Sequence, residues 1–278
     1  MNTPEELKSS IKEHYTVIAG QSREQNASSC CGASGCCTVD YSVFAEDYSR
    51  LKGYAEEADL ALGCGIPTEF AQIAPGNTVI DLGSGAGNDV FVARTLVGDA
   101  GKVIGVDMTE AMVEKARANN DKLGFNNVEF RLGDIEKLPV TAGKADVVIS
   151  NCVLNLVPNK AGAFREMFRV LKTGGHFSVS DVVVSGTLPP AIRDAAEMYA
   201  GCVSGAIDKS QYLQLLREAG FADVEVKKEK PINLPDDILL PYMSAADIAS
   251  FRASGATITS ITVYGKKEAC CPPGSGCC

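Results

Sequence analysis

Residues 79–89 read VIDLGSGAGND, an apolar β-branched run that breaks into glycines at every second position. The run has the composition of a buried strand, and Gly83, Gly85 and Gly87 fall where a strand would hand over to a helix. Glycine suits that place because the backbone must turn tightly and let a ligand come close, with the first N–H groups of the helix facing it. A glycine-rich turn alone specifies no more than a tight strand–helix connection. Asp107 ends the next apolar run, 22 residues beyond Gly85, where a carboxylate can accept hydrogen bonds from both hydroxyls of a ribose.

Outward from this stretch the texture repeats. The runs TVIDLG (78–83), KVIGVDM (102–108), VEFRLGD (128–134), ADVVISNC (145–152) and HFSVSDVVV (176–184) alternate with helical patterns near 87–97, 110–123 and 159–172. Strands apolar on both faces and spaced by single helices predict a parallel sheet covered on both sides, a doubly wound, Rossmann-like α/β fold. Beyond residue 184, LPPAIRDAAEMYAGCV (188–203) and KSQYLQLLREAGF (209–221) read as helices. DVEVKKE (223–229) and SITVYGKK (260–267) read as antiparallel strands that close the sheet within a smaller α+β lobe. At the start, Thr3 is placed as N-cap, Pro4 as first helical residue and Glu6 as the return partner of a capping box. Leu7, Ile11, Tyr15 and Ile18 then form one apolar stripe. Residues 20–40 are rich in Gly, Ser and Cys, lack a period, and read as a mobile loop. The expected organisation is an N-terminal helix and mobile Cys-rich loop over 1–59, a ligand-binding domain over 60–184, a C-terminal lobe over 185–268 and a disordered tail over 269–278.

A chain of 278 residues can bury a sufficient core without disulfides, so its 11 cysteines need another reason. Cys30, Cys31, Cys36 and Cys37 form one paired cluster, and CCPPGSGCC (270–278) forms another. No apolar run approaches the ~18 residues that span a bilayer, and the acidic start lacks a leader-like apolar core. The expectation is a soluble cytoplasmic protein whose thiols stay reduced, where paired cysteines bind soft metals or do redox chemistry. The spacings CC-x4-CC and CC-x5-CC depart from the C-x2-C of zinc sites, so no structural metal is required. A formal charge of −9 argues against a nucleic-acid partner. His14 and His176 are given no role.

The order Asp81-x-Gly83-x-Gly85-x-Gly87, followed by GVDM (105–108) and GDIEKLP (133–139), resembles the S-adenosylmethionine-dependent class I methyltransferases. A dinucleotide dehydrogenase needs no acid at Asp81. The resemblance implies that Gly83 and Gly85 line the methionine part, Asp107 holds the ribose and Met108 packs on the adenine. Asp134 and Ile135 would border the base, with Asp81, Gly87 and Asn151 completing the cofactor set. Cys152, in ISNCVLNLV, ends the fourth strand at the sheet edge where ligands bind. A lone cysteine there would ordinarily read as core. Cys64 in LGCGIP and Cys202 in YAGCVSGA sit among small residues, which suits accessible, backbone-close thiols; taken alone, each reads equally well as structural.

Residues 54–89, GVDMTEAM (105–112), SNCVLNLVP (150–158), VSDVV (179–183) and YAGCVSGA (199–206) together resemble the arsenite methyltransferases, a likeness covering about residues 40–225. It implies methylation of arsenite and methylarsenite, with Cys152 and Cys202 as arsenic ligands and Cys64 as a further ligand or redox partner. A fourth working cysteine would come from Cys30, Cys31, Cys36 or Cys37, with Cys36 and Cys37 the catalytic candidates among them. Residues 60–184 would bind S-adenosylmethionine and 185–268 arsenite, in a monomer served by a thioredoxin- or glutathione-type reductant. The family pattern does not require the C-terminal cluster. The chemistry agrees: soft thiolates displace hydroxide from trivalent arsenic, and methylation at its lone pair removes two electrons that a cysteine pair can return as a disulfide. Two other readings stay open. One is a quinone or other small-organic-molecule methyltransferase in which Cys152 and Cys202 are incidental. The other is a metalloid- or zinc-storing thiol protein on a retained methyltransferase frame.

Overall fold

The computed structural model describes residues 3–28, 46–193 and 205–268. The β-branched runs form one seven-stranded sheet: β1 (Thr78–Leu82), β2 (Lys102–Asp107), β3 (Val128–Leu132), β4 (Ala145–Asn151), β5 (Leu171–Ser185), β6 (Ala222–Ile232) and β7 (Thr257–Lys266). Their order is β3-β2-β1-β4-β5-β7-β6, with β1 to β5 parallel and β7 antiparallel to both its neighbours. The doubly wound sheet and the closing antiparallel strands are as the sequence predicts. Because β1 pairs with β2 on one side and β4 on the other, the winding reverses at β1, which opens a crevice beyond the C-terminal ends of β1 and β4.

Alternation along each strand splits the core into two layers. Val79, Val103 and Val147 pack against Phe91 of α3 (Asn88–Val97) and Met112 and Val113 of α4 (Glu110–Leu123). Ile80, Ile104 and Val148 face the other way, onto Phe164 and Met167 of α5 (Lys160–Val170) and Tyr212 and Leu216 of α7 (Lys209–Glu218). Each such side chain, fully buried, contributes about 1.5–3 kcal/mol. The edge strand β6 alternates half-buried with exposed positions and carries Lys227, Lys228, Lys230 and Pro231, a composition that discourages further strand pairing.

The N-terminal helix α1 (Pro4–Ala19) has the expected capping box: Glu6 N–H donates to Thr3 Oγ1 at 3.2 Å and Thr3 N–H to Glu6 Oε2 at 2.7 Å. Lysines fix both its ends. Lys8 bridges to Asp134 at 2.7 Å and Glu136 at 2.5 Å, and Lys115 of α4 donates to the carbonyls of Ala19 and Gln21 at 2.9 and 3.1 Å, complementing the negative end of the helix dipole.

Three short helices were not anticipated. Part of the stretch read as a loop is α2 (Arg23–Ser28), opened by reciprocal bonds between Ser22 and Gln25. α8 (Asp236–Leu239) and α9 (Ala245–Ala253) lie between β6 and β7, and Ser244 caps α9 by accepting from Asp247 N–H. The helix expected over 188–203 begins as α6 (Pro190–Arg193); its remainder, like the tail over 269–278, lies outside the described residues. No helix among the described residues is long and apolar enough to cross a membrane.

Asp181 in β5 is fully enclosed, accepting from Val182 N–H at 3.0 Å and Tyr212 O–H at 3.2 Å. Burial pushes its carboxyl up to about 7, against the opposing pull of these donors and of Lys160. Since the folded value exceeds the unfolded one, the native state holds a proton between pH ~4 and ~7 that the unfolded chain releases, so this group lowers stability as pH rises through that window. Asp181→Asn is expected to remove the slope, raising the unfolding temperature relative to the parent more at pH 8 than at pH 4. Thermal melts at both values check this, and parallel pH profiles would refute it.

Candidate functional site

The glycine turn after β1 holds positive φ at all three glycines, 67° at Gly83, 50° at Gly85 and 102° at Gly87. Gly83 and Ser84 N–H both donate to Val106 O of β2, at 2.7 and 3.1 Å. Asp107, at the end of β2, spans the gap from this turn to α4: its carboxylate accepts from Gly85 N–H at 3.0 Å and Thr109 N–H at 2.8 Å. Desolvation raises its carboxyl above the usual range while those N–H groups pull it back. Asp81 is buried in the strand, and desolvation, then the charges of Asp89 and Asp107, push its carboxyl well up.

Asp81, Gly83, Gly85, Asp107 and Met108 line one open cleft of about 1150 Å³, its mouth included. Asp134, Ile135 and Asn151 line it too, and Ile11 and Tyr15 of α1 close one side. Gly87 is not part of the wall. A Cβ there would lie 2.8 Å from Phe91 and 3.0 Å from Phe130, so this glycine serves the packing of α3 onto the sheet. Two buried polar atoms of cleft residues, Ser84 Oγ and Asn88 Oδ1, have no hydrogen-bond partner.

Cys152 follows β4 at φ 60°, an uncommon conformation for a residue with a Cβ. Its N–H donates to Ser180 O of β5 at 2.8 Å, and the residue, 6 % exposed, forms part of the cleft wall. Cys64 is fully buried rather than accessible, a departure from the reading of its small neighbours. The glycines on either side let the sheet approach: a Cβ at Gly63 would stand 2.6 Å from Asn151 Nδ2, and one at Gly65 2.5 Å from Ser180 Oγ. Cys64 and Cys152 belong to the same apolar cluster, and Gly63, the neighbour of Cys64, reaches the cleft. Cys202, Cys30, Cys31, Cys36 and Cys37 lie outside the described residues. Among the described residues no group of three or more His, Cys, Asp or Glu side chains could hold a metal ion.

Tyr48, Asp89 and Ser260 join the site through the fold, from positions distant in the chain. Tyr48 Oη is 2.9 Å from both Asp89 Oδ1 and Gly65 O. Asn151 Nδ2 lies 2.9 Å from Tyr48 Oη and Gly65 O and 3.1 Å from Asp89 Oδ2. Burial pushes Asp89 up to about 6 against these two donors. Ser260 of β7 donates to Cys64 O at 2.6 Å. The one available signal was Asp89, the sole carboxylate of α3, set in its first turn.

A methyltransferase-domain family profile matches residues 73–220. The chain is 40 % identical to an arsenite methyltransferase of Halobacterium salinarum, over 96 % of this chain and 68 % of that protein. It is 32 % identical to another of Aquipseudomonas alcaligenes, over 94 % and 74 %. Among solved structures it resembles an arsenic (III) S-adenosylmethionine methyltransferase from Chlamydomonas reinhardtii, with TM-score 0.62 and 36 % identity over 76 % of this chain and 68 % of that one.

Proposed function

This chain belongs to the arsenite methyltransferase family of S-adenosylmethionine-dependent enzymes, and on that premise we propose that it methylates trivalent arsenic held by its own thiols. The observation that carries the reading is the position of Cys152, in the wall of the same cleft as the glycine turn and just beyond the C-terminal end of β4.

The cleft suits S-adenosylmethionine. Ser84 Oγ and Asn88 Oδ1 are buried and unpartnered, and a Cβ on Gly85 would meet nothing within 4 Å, which leaves backbone exposed to a ligand. Asp81 and Asp107 lie close enough in the cleft wall for the charge of one to push up the carboxyl of the other, a negative field that favours a cationic guest. Asp107 would hold the ribose through lone pairs left over from Gly85 and Thr109. Asp134 and Ile135 would border the base. When bound, the cofactor supplies an electrophilic methyl group on a positively charged sulfur. Loss of two hydrogen bonds to a charged group, at about 1.5 kcal/mol each, corresponds to roughly 100-fold. Asp107→Ala should therefore weaken S-adenosylmethionine binding by that order and leave arsenite binding unchanged. Calorimetric titration of each ligand decides it, and an unaltered cofactor affinity would remove Asp107 from the site.

On the substrate side, three thiols replace the three hydroxides of arsenite, each hydroxide leaving as water with a thiol proton. Cys152, Cys202 and Cys64 are the proposed ligands. The three thiolates would hold arsenic with its lone pair directed at the methyl group that the cofactor would supply, and uptake of that group would commit the lone pair to an As–C bond. Arsenic is thereby oxidised by two electrons. A thiolate from Cys30, Cys31, Cys36 or Cys37 then attacks one arsenic-bound cysteine sulfur; that As–S bond breaks, its electron pair returns to arsenic, and the two sulfurs stay joined as a disulfide, which a thioredoxin- or glutathione-type thiol reopens. The protein's main task is alignment, which contributes about 7–11 kcal/mol in well-oriented systems. In this reading residues 60–184 bind the cofactor and supply Cys64 and Cys152, and 185–268 close the arsenic site with Cys202, within a monomer of the reducing cytoplasm. Incubation with S-adenosylmethionine, arsenite and excess thiol should yield methylated arsenicals on speciation, and their absence would overturn the proposal.

A further inference from the structure

Cys64 is fully buried, yet a thiol that binds arsenic beside Cys152 must be held at a fixed offset from it. The backbone on both sides of Cys64 is clamped. Its N–H donates to Asn151 Oδ1 at 3.0 Å, and its carbonyl accepts from Ser260 at 2.6 Å. Asn151 immediately precedes Cys152, so one side chain ties the Cys64 backbone, 87 positions away, to the residue before Cys152.

We propose that Asn151, oriented by Tyr48 and Asp89, is a positioning residue that fixes Cys64 relative to Cys152 and so sets the third arsenic–sulfur contact. This rests on the reading of Cys64 as a ligand of inorganic arsenite.

The orientation of the Asn151 amide follows from its neighbours. Its NH2 faces three acceptors, Tyr48 Oη, Gly65 O and Asp89 Oδ2. Rotating the amide by half a turn would set its oxygen against a carboxylate and a carbonyl, and its NH2 against the Cys64 N–H. Neither contact can form a hydrogen bond. Only the observed orientation presents an oxygen to Cys64. The amide is also wedged against Gly63, where even a methyl group would collide at 2.6 Å. Four separate segments, at residues 48, 63–65, 89 and 151, thus form one hydrogen-bonded network beside the Cys64 backbone. Tyr48 and Asp89 touch neither cysteine directly in this network, and act on Cys64 through Asn151 and Gly65.

The test compares Tyr48→Phe and Asp89→Asn with Cys64→Ser as reference. Each is assayed on arsenite and on trivalent methylarsenite under excess thiol, with thermal melts to confirm folding. Methylarsenite has two exchangeable positions, which Cys152 and Cys202 suffice to fill. Since a misplacement of about 1 Å can cost on the order of 100-fold, both positioning variants should lose arsenite methylation by that order and lose methylarsenite methylation far less. Asp89→Asn sets an amide against the Asn151 amide, so it should have the larger effect. X-ray absorption at the arsenic edge should count three sulfurs in the parent loaded with arsenite and two in the variants. If Cys64→Ser shows the substrate split and the other two affect both substrates equally, positioning is overturned. A Cys64→Ser variant with full arsenite methylation would remove the ligand reading itself, and the proposal with it.

Discussion

Cys152→Ser is expected to abolish methylation of arsenite and methylarsenite alike. The substitution exchanges sulfur for oxygen and nearly preserves shape, and the Cys152 N–H bond to Ser180 O does not involve the side chain, so the fold should survive. A hydroxyl is a hard donor with little affinity for trivalent arsenic, which prefers soft thiolate. The substrate would then be held by too few contacts to keep its lone pair in line with the methyl group. With 7–11 kcal/mol available from alignment, losing even half of it lowers the rate by roughly a thousand-fold. Cys202→Ser should do the same, on the reading that these two thiols serve every round. Arsenic speciation on both substrates, with melting curves as control, measures this. Near-normal methylation by either variant would overturn the assignment.

The glycine turn offers a second large effect and an internal control. At Gly83 a new Cβ would sit 2.4 Å from Val153 Cγ2, at φ 67°. Left-handed backbone costs a residue with a Cβ about 1–2 kcal/mol, and forcing a methyl into a packed contact costs about 1–3 kcal/mol more. Gly83→Ala should lose about 2–5 kcal/mol of stability and push Val153, the neighbour of Cys152, out of place. Gly85 has φ 50° but open space where its Cβ would lie. Gly85→Ala should cost about 1–2 kcal/mol at most while placing a methyl in the space assigned to the cofactor. Denaturant unfolding and cofactor titration on the pair separate the two. Equal stability losses would mean that the turn is not shaped as described, and undiminished cofactor binding by Gly85→Ala would empty the cleft of its assigned ligand.

The parts of the molecule that could be read from sequence are those governed by local rules. The β-branched runs became β1 to β5 because alternation and burial on both faces act within a few residues. Thr3 and Glu6 capped α1 because a capping box spans a single turn. α9 carried a similar signal in Ser244 and Asp247 that composition around it obscured. Gly87 looked equivalent to Gly83 and Gly85 by spacing, but only tertiary packing against Phe91 and Phe130 shows what it does. Cys64 misled for a related reason. Small flanking residues admit either solvent or a neighbouring strand, and here Asn151 and Ser180 fill the space. Tyr48 and Asp89 were silent because their partners are distant in the chain, at separations such as 41 and 103 residues.

The bond from Ser260 to Cys64 O closes a separation of 196 residues. A ribosome adds about 5–20 residues per second, so the cysteine emerges roughly 10–40 s before the strand that clamps it has been made. Through that interval the nascent chain displays soft thiols with no geometry imposed on them. Arsenite present during synthesis meets flexible ligands first and a shaped site only later. Metalloid captured early would link cysteines in whatever pairs happened to be close, and would have to be released before β7 could seat. Under the proposed function, capture of the metalloid and assembly of the enzyme are therefore in a race, one that thiols able to strip arsenic from unfinished chains would help to win.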